Sequence, residues 1–320
     1  METIDKESFK SINNGFNSVF RNNKLSIGLV IPLENYPRTP IPTMKNQMEK
    51  ILLAEELNFK AIWLRDIPFN DPSFGDVGQM YDPFSYLGYL SAKTSKIALG
   101  VGSLILPLKH PANVAKAAAS IDALSNGRLI LGVASGDRAK EYPAMNIDYD
   151  NRGNNFRESF NYINQIWEDF PMFDNEFGSP NADLDMLPKP TNQKVPMLIT
   201  GASQQNPSWL ASNGDGWITY PRPVSTQKII VNRIRDNAKE NNTQNRPISQ
   251  SLYIDLVEGL DFSPQPIHLG YRLNVKHLIE HLKSLEAIGI NHVALNLRFN
   301  QADIEKTLKI IAAEILPEFS

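Results

Sequence analysis

The sequence predicts one (β/α)8 barrel, and three observations predict it. Short apolar runs alternate with helical patterns eight times along the chain. The runs are apolar throughout, as in a sheet buried on both faces. Eight such units fill roughly 300 residues, the usual extent of one closed barrel. A doubly wound open sheet is the alternative. It would normally place a G-x-G-x-x-G turn after its first strand, and here that strand runs into "IPLENYPRTP".

Residues 1–24, beginning "METIDKESFKSINNGFNSVF", are polar and mixed in charge. They read as an arm, and residues 25–320 as the barrel domain. The strand candidates are "LSIGLVI" from Leu25, "AIWL" from Ala61, "IALGVGS" from Ile97, "RLILGVA" from Arg128, "PMLIT" from Pro196, "GWITY" from Gly216, "SLYIDLVEG" from Ser251 and "HVALNLRF" from His292. They are too short for helices, and several are rich in Ile, Val and aromatic residues.

The helical patterns carry their own ends. Asp82-Pro83 supplies an N-cap and a first-turn proline for "FSYLGYLSAKT". Pro111 opens the alanine-rich "ANVAKAAASIDALS", and Asn126-Gly127 ends it with residues that tolerate a left-handed backbone. Phe156, Phe160, Ile163, Ile166 and Trp167 form a helical stripe ahead of Pro171. "NVKHLIEHLKSLEAIG" starts at an Asn cap, and "QADIEKTLKIIAAEIL" closes the chain. Three long segments break the rhythm: "DIPFNDPSFGDVGQMY" after the second strand, Pro171 to Val195, and "DFSPQPIHLGYRLN" after the seventh strand. Segments of this length read as lids or binding loops on the C-terminal side of the barrel.

Composition excludes several functions. Hydrophobic residues make up 42% of the chain, enough for a sizeable core, and the formal charge of −3 comes from intermixed acids and bases. No basic block suggests nucleic acid, and no charged tail suggests a membrane surface. No apolar run approaches a membrane span, and no signal peptide is visible, so a cytoplasmic protein is the expectation. The absence of cysteine removes disulfides, thiolate metal sites and cysteine nucleophiles together. Of the five histidines only His277 and His281 have helical spacing, on a helix also carrying Lys276 and Lys283; they read as a solvated pair, and no metal is expected. A glycosidase would need paired carboxyls at strand ends, for which Asp66 and Glu141 are candidates of unfixed separation. No G-x-S-x-G elbow exists.

Three strand ends are stripped of bulk: Gly100 and Gly102 after the third, Ala134, Ser135 and Gly136 after the fourth, and Thr200, Gly201, Ala202 and Ser203 after the fifth. Together they suggest a flat slot for a planar ring, although small residues also serve tight turns. Ser203 precedes "QQNPSWLAS" and reads as its N-cap, a position compatible with a phosphate at the helix start. Arg152 would complete that clamp; as an isolated residue it reads equally well as an ordinary surface arginine.

The stretch "LILPLKHPANVAKAAASIDALSNGRLILGVASGDRAKEYPAM", Leu104 to Met145, resembles the signature region of the bacterial-luciferase-like flavin monooxygenase superfamily. "GAS" at the fifth strand and "NGDGW" at the sixth match as well. The resemblance covers most of the chain from Leu25. It implies a (β/α)8 barrel, a reduced flavin or deazaflavin coenzyme and often a homodimer, here built on the helices after strands two and three. It also implies coenzyme contacts at Arg65, Asp66, Gly132, Ser135, Glu141, Tyr142, Arg152, Gly201, Ala202 and Ser203. Asp66, Arg138, Tyr220 and Arg222 are assigned to the pocket near the substrate. A light-emitting luciferase carries histidine at the end of the second strand, where this chain has "WLRDIP", so bioluminescence is not implied. Gln205 stands where many relatives have glycine.

The sequence thus reads as a flavin-dependent oxidoreductase, foremost a monooxygenase using reduced FMN and dioxygen on a small organic substrate. No nicotinamide motif is visible, so a separate NAD(P)H flavin reductase would supply electrons. Deazaflavin-dependent hydride transfer and a non-catalytic flavin-binding protein are the alternatives.

Overall fold

The structure, a computed structural model of the chain, describes residues 9–259 and 261–319. Among them lie β1 (Ser26–Val30), β2 (Ala61–Leu64), β3 (Ala98–Ile105), β4 (Leu129–Ala134), β5 (Met197–Thr200), β6 (Gly216–Thr219), β7 (Ile248–Leu256), β8 (Gln265–Ile267), β9 (Gly270–Leu273) and β10 (His292–Asn296). Each pair from β1 to β7 is parallel, and β10 pairs in parallel with both β7 and β1. That double pairing closes an eight-stranded parallel barrel, as the sequence predicts. The additional β8–β9 hairpin falls in the third long segment. β9 continues the sheet along Tyr253–Leu256 of β7.

The helices are α1 (Asn14–Val19), α2 (Gln47–Glu56), α3 (Pro83–Lys93), α4 (Pro111–Leu124), α5 (Glu141–Ala144), α6 (Arg152–Ile166), α7 (Pro207–Asn213), α8 (Val224–Glu240), α9 (Val275–Ala287) and α10 (Ile304–Ile310). Asp82 accepts from the Ser85 N–H and Asn274 from the His277 N–H, the expected caps. Asn126 and Gly127 hold φ of 57° and 72° at the end of α4. One cap differs. Asn206, not Ser203, caps α7, accepting from the Trp209 N–H at 2.8 Å. Pro207 fits the first helical position, and Ser203 lies three residues upstream with φ 43°. The closing helix is also shorter than its pattern: after α10 the backbone widens into a π turn, Ile311–Ile315.

Two of the three long segments rise at the C-terminal ends of the strands. The third, Pro171–Val195, does not. It climbs the outside of α6, where Glu176 meets Asn154 and the Phe177 ring meets His110. It then descends to brace the N-terminal face through Thr191 to Asp122 and Asn192 to the Ile12 carbonyl. A segment entering a strand from a helix starts and finishes at the N-terminal face of the barrel, so its length alone does not bring it over the mouth.

The barrel interior explains several glycines, and corrects the expected slot. A Cβ on Gly100 would lie 2.4 Å from the Trp63 ring, and one on Gly132 2.5 Å from Ile218 Cδ1. A Cβ on Gly28 would lie 2.8 Å from the His292 ring. These positions are small because a large neighbour fills the barrel there. Only the upper end of the slot stays open. β3 bulges between Val101 and Leu104, and Gly102, at its crest, is exposed.

The described part of the arm is a plug. Ile12, Phe16, Val19 and Phe20 bury themselves against Val30, Ala61, Trp63, Ala98, Ile130, Leu198 and Ala294 from six strands. Asn13 fixes the plug by donating to Asp122 and to the Leu129 carbonyl, and by accepting from Phe16 N–H. Above it, Trp63 Nε1–H donates to His292 Nε2 at 2.9 Å. The proton of this imidazole therefore sits on Nδ1, 2.7 Å from the Ser26 hydroxyl, which donates onward to the Val19 carbonyl. Burial pushes the His292 pKa down to about 3, so the chain stays neutral and intact.

The filled interior sets a test. Gly100→Ala forces a methyl into the Trp63 indole, and overpacking of this kind costs about 1–3 kcal/mol. Denaturant unfolding is expected to show that loss with an unchanged m-value.

Candidate functional site

The mouth of the barrel is framed by the end of β2 and the segment that follows it. Arg65 Nη1 donates to Asp76 Oδ2 at 2.6 Å, and Arg298 Nη1 approaches the same oxygen at 3.1 Å. The Tyr36 hydroxyl reaches Oδ1 at 3.2 Å, and the Gly78 N–H donates to it at 2.8 Å. Tyr253, on β7, adds its hydroxyl at 3.5 Å. Asp76 therefore ties three loops and a strand together. The two guanidiniums and the backbone bond outweigh burial and hold its carboxyl below the usual range.

Asp66, one residue beyond Arg65, is also engaged. Its Oδ2 accepts from the Ile105 N–H at 3.0 Å, and Lys109 lies 3.4 Å from Oδ1. It straps β2 to the exit of β3. Desolvation dominates here and raises its pKa.

The loop after β4 folds back over the mouth. Gly136 turns with φ 74°, and a Cβ there would meet Ile105 and the Tyr142 hydroxyl. Tyr142 is 1% exposed, and its hydroxyl donates to the Ser135 carbonyl. It is a strut beneath the loop rather than a group facing the slot. Ser135 is buried with it. Glu141, also buried, lies 3.9 Å from Arg138 Nη1, beyond hydrogen-bond reach. Desolvation raises the Glu141 pKa to about 7, only partly offset by Arg138. Arg138 rests over the Phe74 ring and donates to the Asp76 carbonyl at 3.2 Å.

Next to β4, the end of β5 meets the start of α6. A Cβ on Gly153 would lie 2.8 Å from Gln204 Cβ, and Gln205 Nε2 donates to the Gly153 carbonyl. Gly201, Ser203 and Gln204 all have positive φ. Ser203 spends its hydroxyl on the Thr200 carbonyl, while the N–H groups of Ala202, Ser203 and Gln204 make no hydrogen bond among the described residues. Ala202 is exposed and Gly201 half-buried. Arg152, at the first turn of α6, lies over the Tyr149 ring, and its Nε is buried without a partner. The Ser103 hydroxyl, beside Gly102, bonds that of Thr200 and links the two sides. Tyr220 is half-exposed after β6, and Arg222 donates to Thr219 and to the Tyr220 carbonyl.

The fold thus brings most of the sequence-predicted residues to one mouth. Arg65, Asp66, Arg138 and Glu141 form one side. Gly201, Ala202, Ser203 and Arg152 form the other, and Tyr220 and Arg222 sit on the rim. Gly132 lies deeper, packed under Ile218, and faces no open space. Asp76, Tyr36, Tyr253 and Arg298 were not singled out by the sequence. Their only signal is the "GDVG" turn in an insertion. Among the described residues no group of three or more His, Asp or Glu side chains could hold a metal ion, and no helix is long and apolar enough to cross a membrane.

Residues 25–255 match the family described as luciferase-like monooxygenase, and the chain belongs to that family. An uncharacterised protein of Mycobacterium tuberculosis is 30% identical over 195 residues, covering 56% of this chain and 68% of its own length. The F420-dependent hydroxymycolic acid dehydrogenase of the same organism is 27% identical over 56% of this chain and 49% of that protein. The oxygenase component of the flavin-dependent trigonelline monooxygenase of Acinetobacter baylyi is 33% identical over 41% of this chain and 34% of that protein. The chain therefore spans half or less of these two characterised relatives. In fold, it resembles the monooxygenase RslO1 of Streptomyces bottropensis, with a TM-score of 0.75 and 18% identity over 92% of this chain and all of that one. The family holds both flavin monooxygenases and F420-dependent dehydrogenases, so membership makes the chain an oxidoreductase relative without fixing its coenzyme.

The buried Glu141 carboxyl yields a pH prediction. Its folded pKa, about 7, stands above the unfolded value near 4.5, so the folded state binds the extra proton between them. Stability contributed by that proton is lost as pH rises through about 7. Glu141→Gln removes the penalty, so its melting temperature is expected to exceed the parent's at about pH 8 and to approach it near pH 5.

Proposed function

We propose that the chain is a flavin-dependent oxidoreductase, foremost a monooxygenase that takes reduced FMN and dioxygen to a small organic substrate. The observation that carries this reading is the pairing of an open slot at Gly102 and Ser103 with the loop after β5, where the N–H groups of Ala202, Ser203 and Gln204 make no hydrogen bond among the described residues. The slot suits the edge of a planar ring. Three adjacent donors in a loop of left-handed residues suit a phosphate. Arg152, with an orphaned buried Nε, would add charge from the neighbouring helix start. Ser203 enters through its backbone, since its hydroxyl is already bonded.

When bound, the coenzyme would supply the redox chemistry. This chain's residues would do the rest. The β5 loop and Arg152 would fix the phosphate. The Ser103–Thr200 bond would hold the two slot walls in register. The loop from Gly136 to Tyr149, pinned from beneath by Tyr142, would exclude water from the mouth. Glu141 would hold or release a proton at its carboxyl near neutral pH. With no nicotinamide motif, a separate flavin reductase would supply the electrons.

F420-dependent oxidoreduction is the second reading, supported by the M. tuberculosis relative named as F420-dependent. The same phosphate loop would serve either coenzyme. A homodimer through α3 and α4 is also proposed, on a changed basis. Ala115, Ala118 and Ala119 of α4 are buried in this chain's own core, so they do not offer a face to a partner. Tyr89 on α3, with Met80 and Tyr81 just before it, all roughly half exposed, would offer the contact instead. Light scattering is expected to give about twice the 36.0 kDa chain mass; a single-chain mass would remove the dimer.

Coenzyme titration tests the site. FMN is expected to bind in preference to F420, and substrate-dependent oxygen uptake to separate an enzyme from a flavin binder. Arg152→Ala is expected to weaken FMN roughly tenfold, the cost of one charge-assisted bond, with riboflavin scarcely affected. Ser203→Ala is expected to do less. Equal loss of FMN and riboflavin would place the effect on the loop and not on the phosphate.

A further inference from the structure

Three arginines, Arg65, Arg298 and Arg138, converge on the single buried residue Asp76. Its carboxylate is saturated by two guanidiniums, two tyrosine hydroxyls and one N–H. Arg138 reaches only the carbonyl of Asp76. Glu141 and Asp137 lend it charge, but Arg138 Nη1 and the Glu141 Oε1 that faces it at 3.9 Å are both buried without a hydrogen bond. A buried N–H left without a hydrogen bond is costly. A bound anion removes that cost.

The three arginines differ in what they have left to give. Arg298 is used up: Nε and Nη2 donate to the carbonyls of Tyr36, Thr39 and Gly75. It belongs to the frame. Arg65 uses one nitrogen, Nη1, among the described residues, and its side chain is 24% exposed. Its charge reaches Tyr220, across the rim. Arg138 keeps Nη1. The two incomplete forks therefore meet at Asp76, on one side of the mouth.

We propose that Arg65 and Arg138 together bind the oxyanion of an acidic substrate, a carboxylate in the first place, and so select for acids over neutral analogues. This rests on the mouth being the substrate pocket of the function proposed above. A planar guanidinium fork matches two carboxylate oxygens in a way that lysine does not. The loop 201–204 and Arg152 lie on the β5 side and would serve the coenzyme phosphate, leaving these two arginines for a second anion. Tyr220 is half-exposed on the rim, within reach of the Arg65 charge.

The test is isothermal titration of the full chain with benzoate and with benzamide, its neutral counterpart. Benzoate is expected to bind more tightly. Arg138→Gln is expected to weaken benzoate roughly tenfold or more, with benzamide and FMN unchanged. Arg65→Lys keeps the charge beside Asp76, and with it the thermal unfolding temperature, yet removes the fork and is also expected to weaken benzoate. Equal binding of the two probes, no binding of either, or benzoate unaffected in both variants overturns the proposal. If Arg138→Gln weakens FMN while sparing riboflavin and benzoate, the anion served is the coenzyme's phosphate, which overturns it too. Failure of the parent chain to bind FMN would sink the flavin reading and leave the benzoate comparison standing.

Discussion

Closing eight parallel strands encloses a volume that must be filled with side chains, and the rest of the molecule follows from how this chain fills it. Strands that range from four to nine residues cannot do so evenly. Instead Trp63 and His292 occupy the axis, and Gly28 and Gly100 give up their side chains to admit them. The polar edges of both rings must then be satisfied internally. The Trp63–His292–Ser26–Val19 line does this with one tautomer and no charge. Because it ends on a carbonyl of α1, the arm becomes part of the barrel's interior. The N-terminal face is thereby sealed with apolar rings, and the polar groups of the chain are left to gather at the other end.

At that end the strands stop and loops must be held without a core. Burying apolar area is not available, so charge and hydrogen bonds hold them. Asp76 receives donors from the end of β2, from its own loop, from the segment after β1 and from β7 and the loop after β10. Asp66 and Tyr142 do the same on a smaller scale for β3 and β4. These bonds form a rigid rim around the one place where β3 bulges and Gly102 is bare. Rigid elements carrying a site position it more closely than free loops do. The opening is therefore a consequence of the frame.

This division explains what could be read from the sequence. The barrel was legible because buried strands and capped helices are local signals. Every predicted strand is present, and the Asp82 and Asn274 caps are where the pattern puts them. Ser203 misled because capping was inferred from residue type; Pro207 instead sets the start of α7 three residues later. The glycines misled differently. A missing Cβ looks the same in a sequence whether it leaves room for a ligand or for Trp63, and only packing separates Gly100 from Gly102. The Asp76 cluster could not be found at all, since its members are separated by up to 262 positions in the chain. What the family resemblance supplied, the residues around Glu141 and Arg152, came together at the mouth, though with Tyr142 and Gly132 turned inward.

The acidic groups of the mouth are ordered by their environments, and that order has a direction. Glu141 and Asp66 are governed by desolvation, which raises both pKa values. Asp76 is governed by Arg65, Arg298 and the Gly78 N–H, which lower its own. On acidification Glu141 therefore takes its proton first, at about pH 7, and Asp66 follows above the usual aspartate range. Both protonations favour the folded state. Of these three, Asp76 protonates last, and its protonation costs stability, because its donors lose their acceptor. Between the first step and the last, the rim gains positive charge while the frame that holds it is intact. A carboxylate that titrates near neutrality beside an arginine thus makes the charge of the mouth adjustable, and a carboxylate clamped by two arginines keeps its geometry constant while that happens.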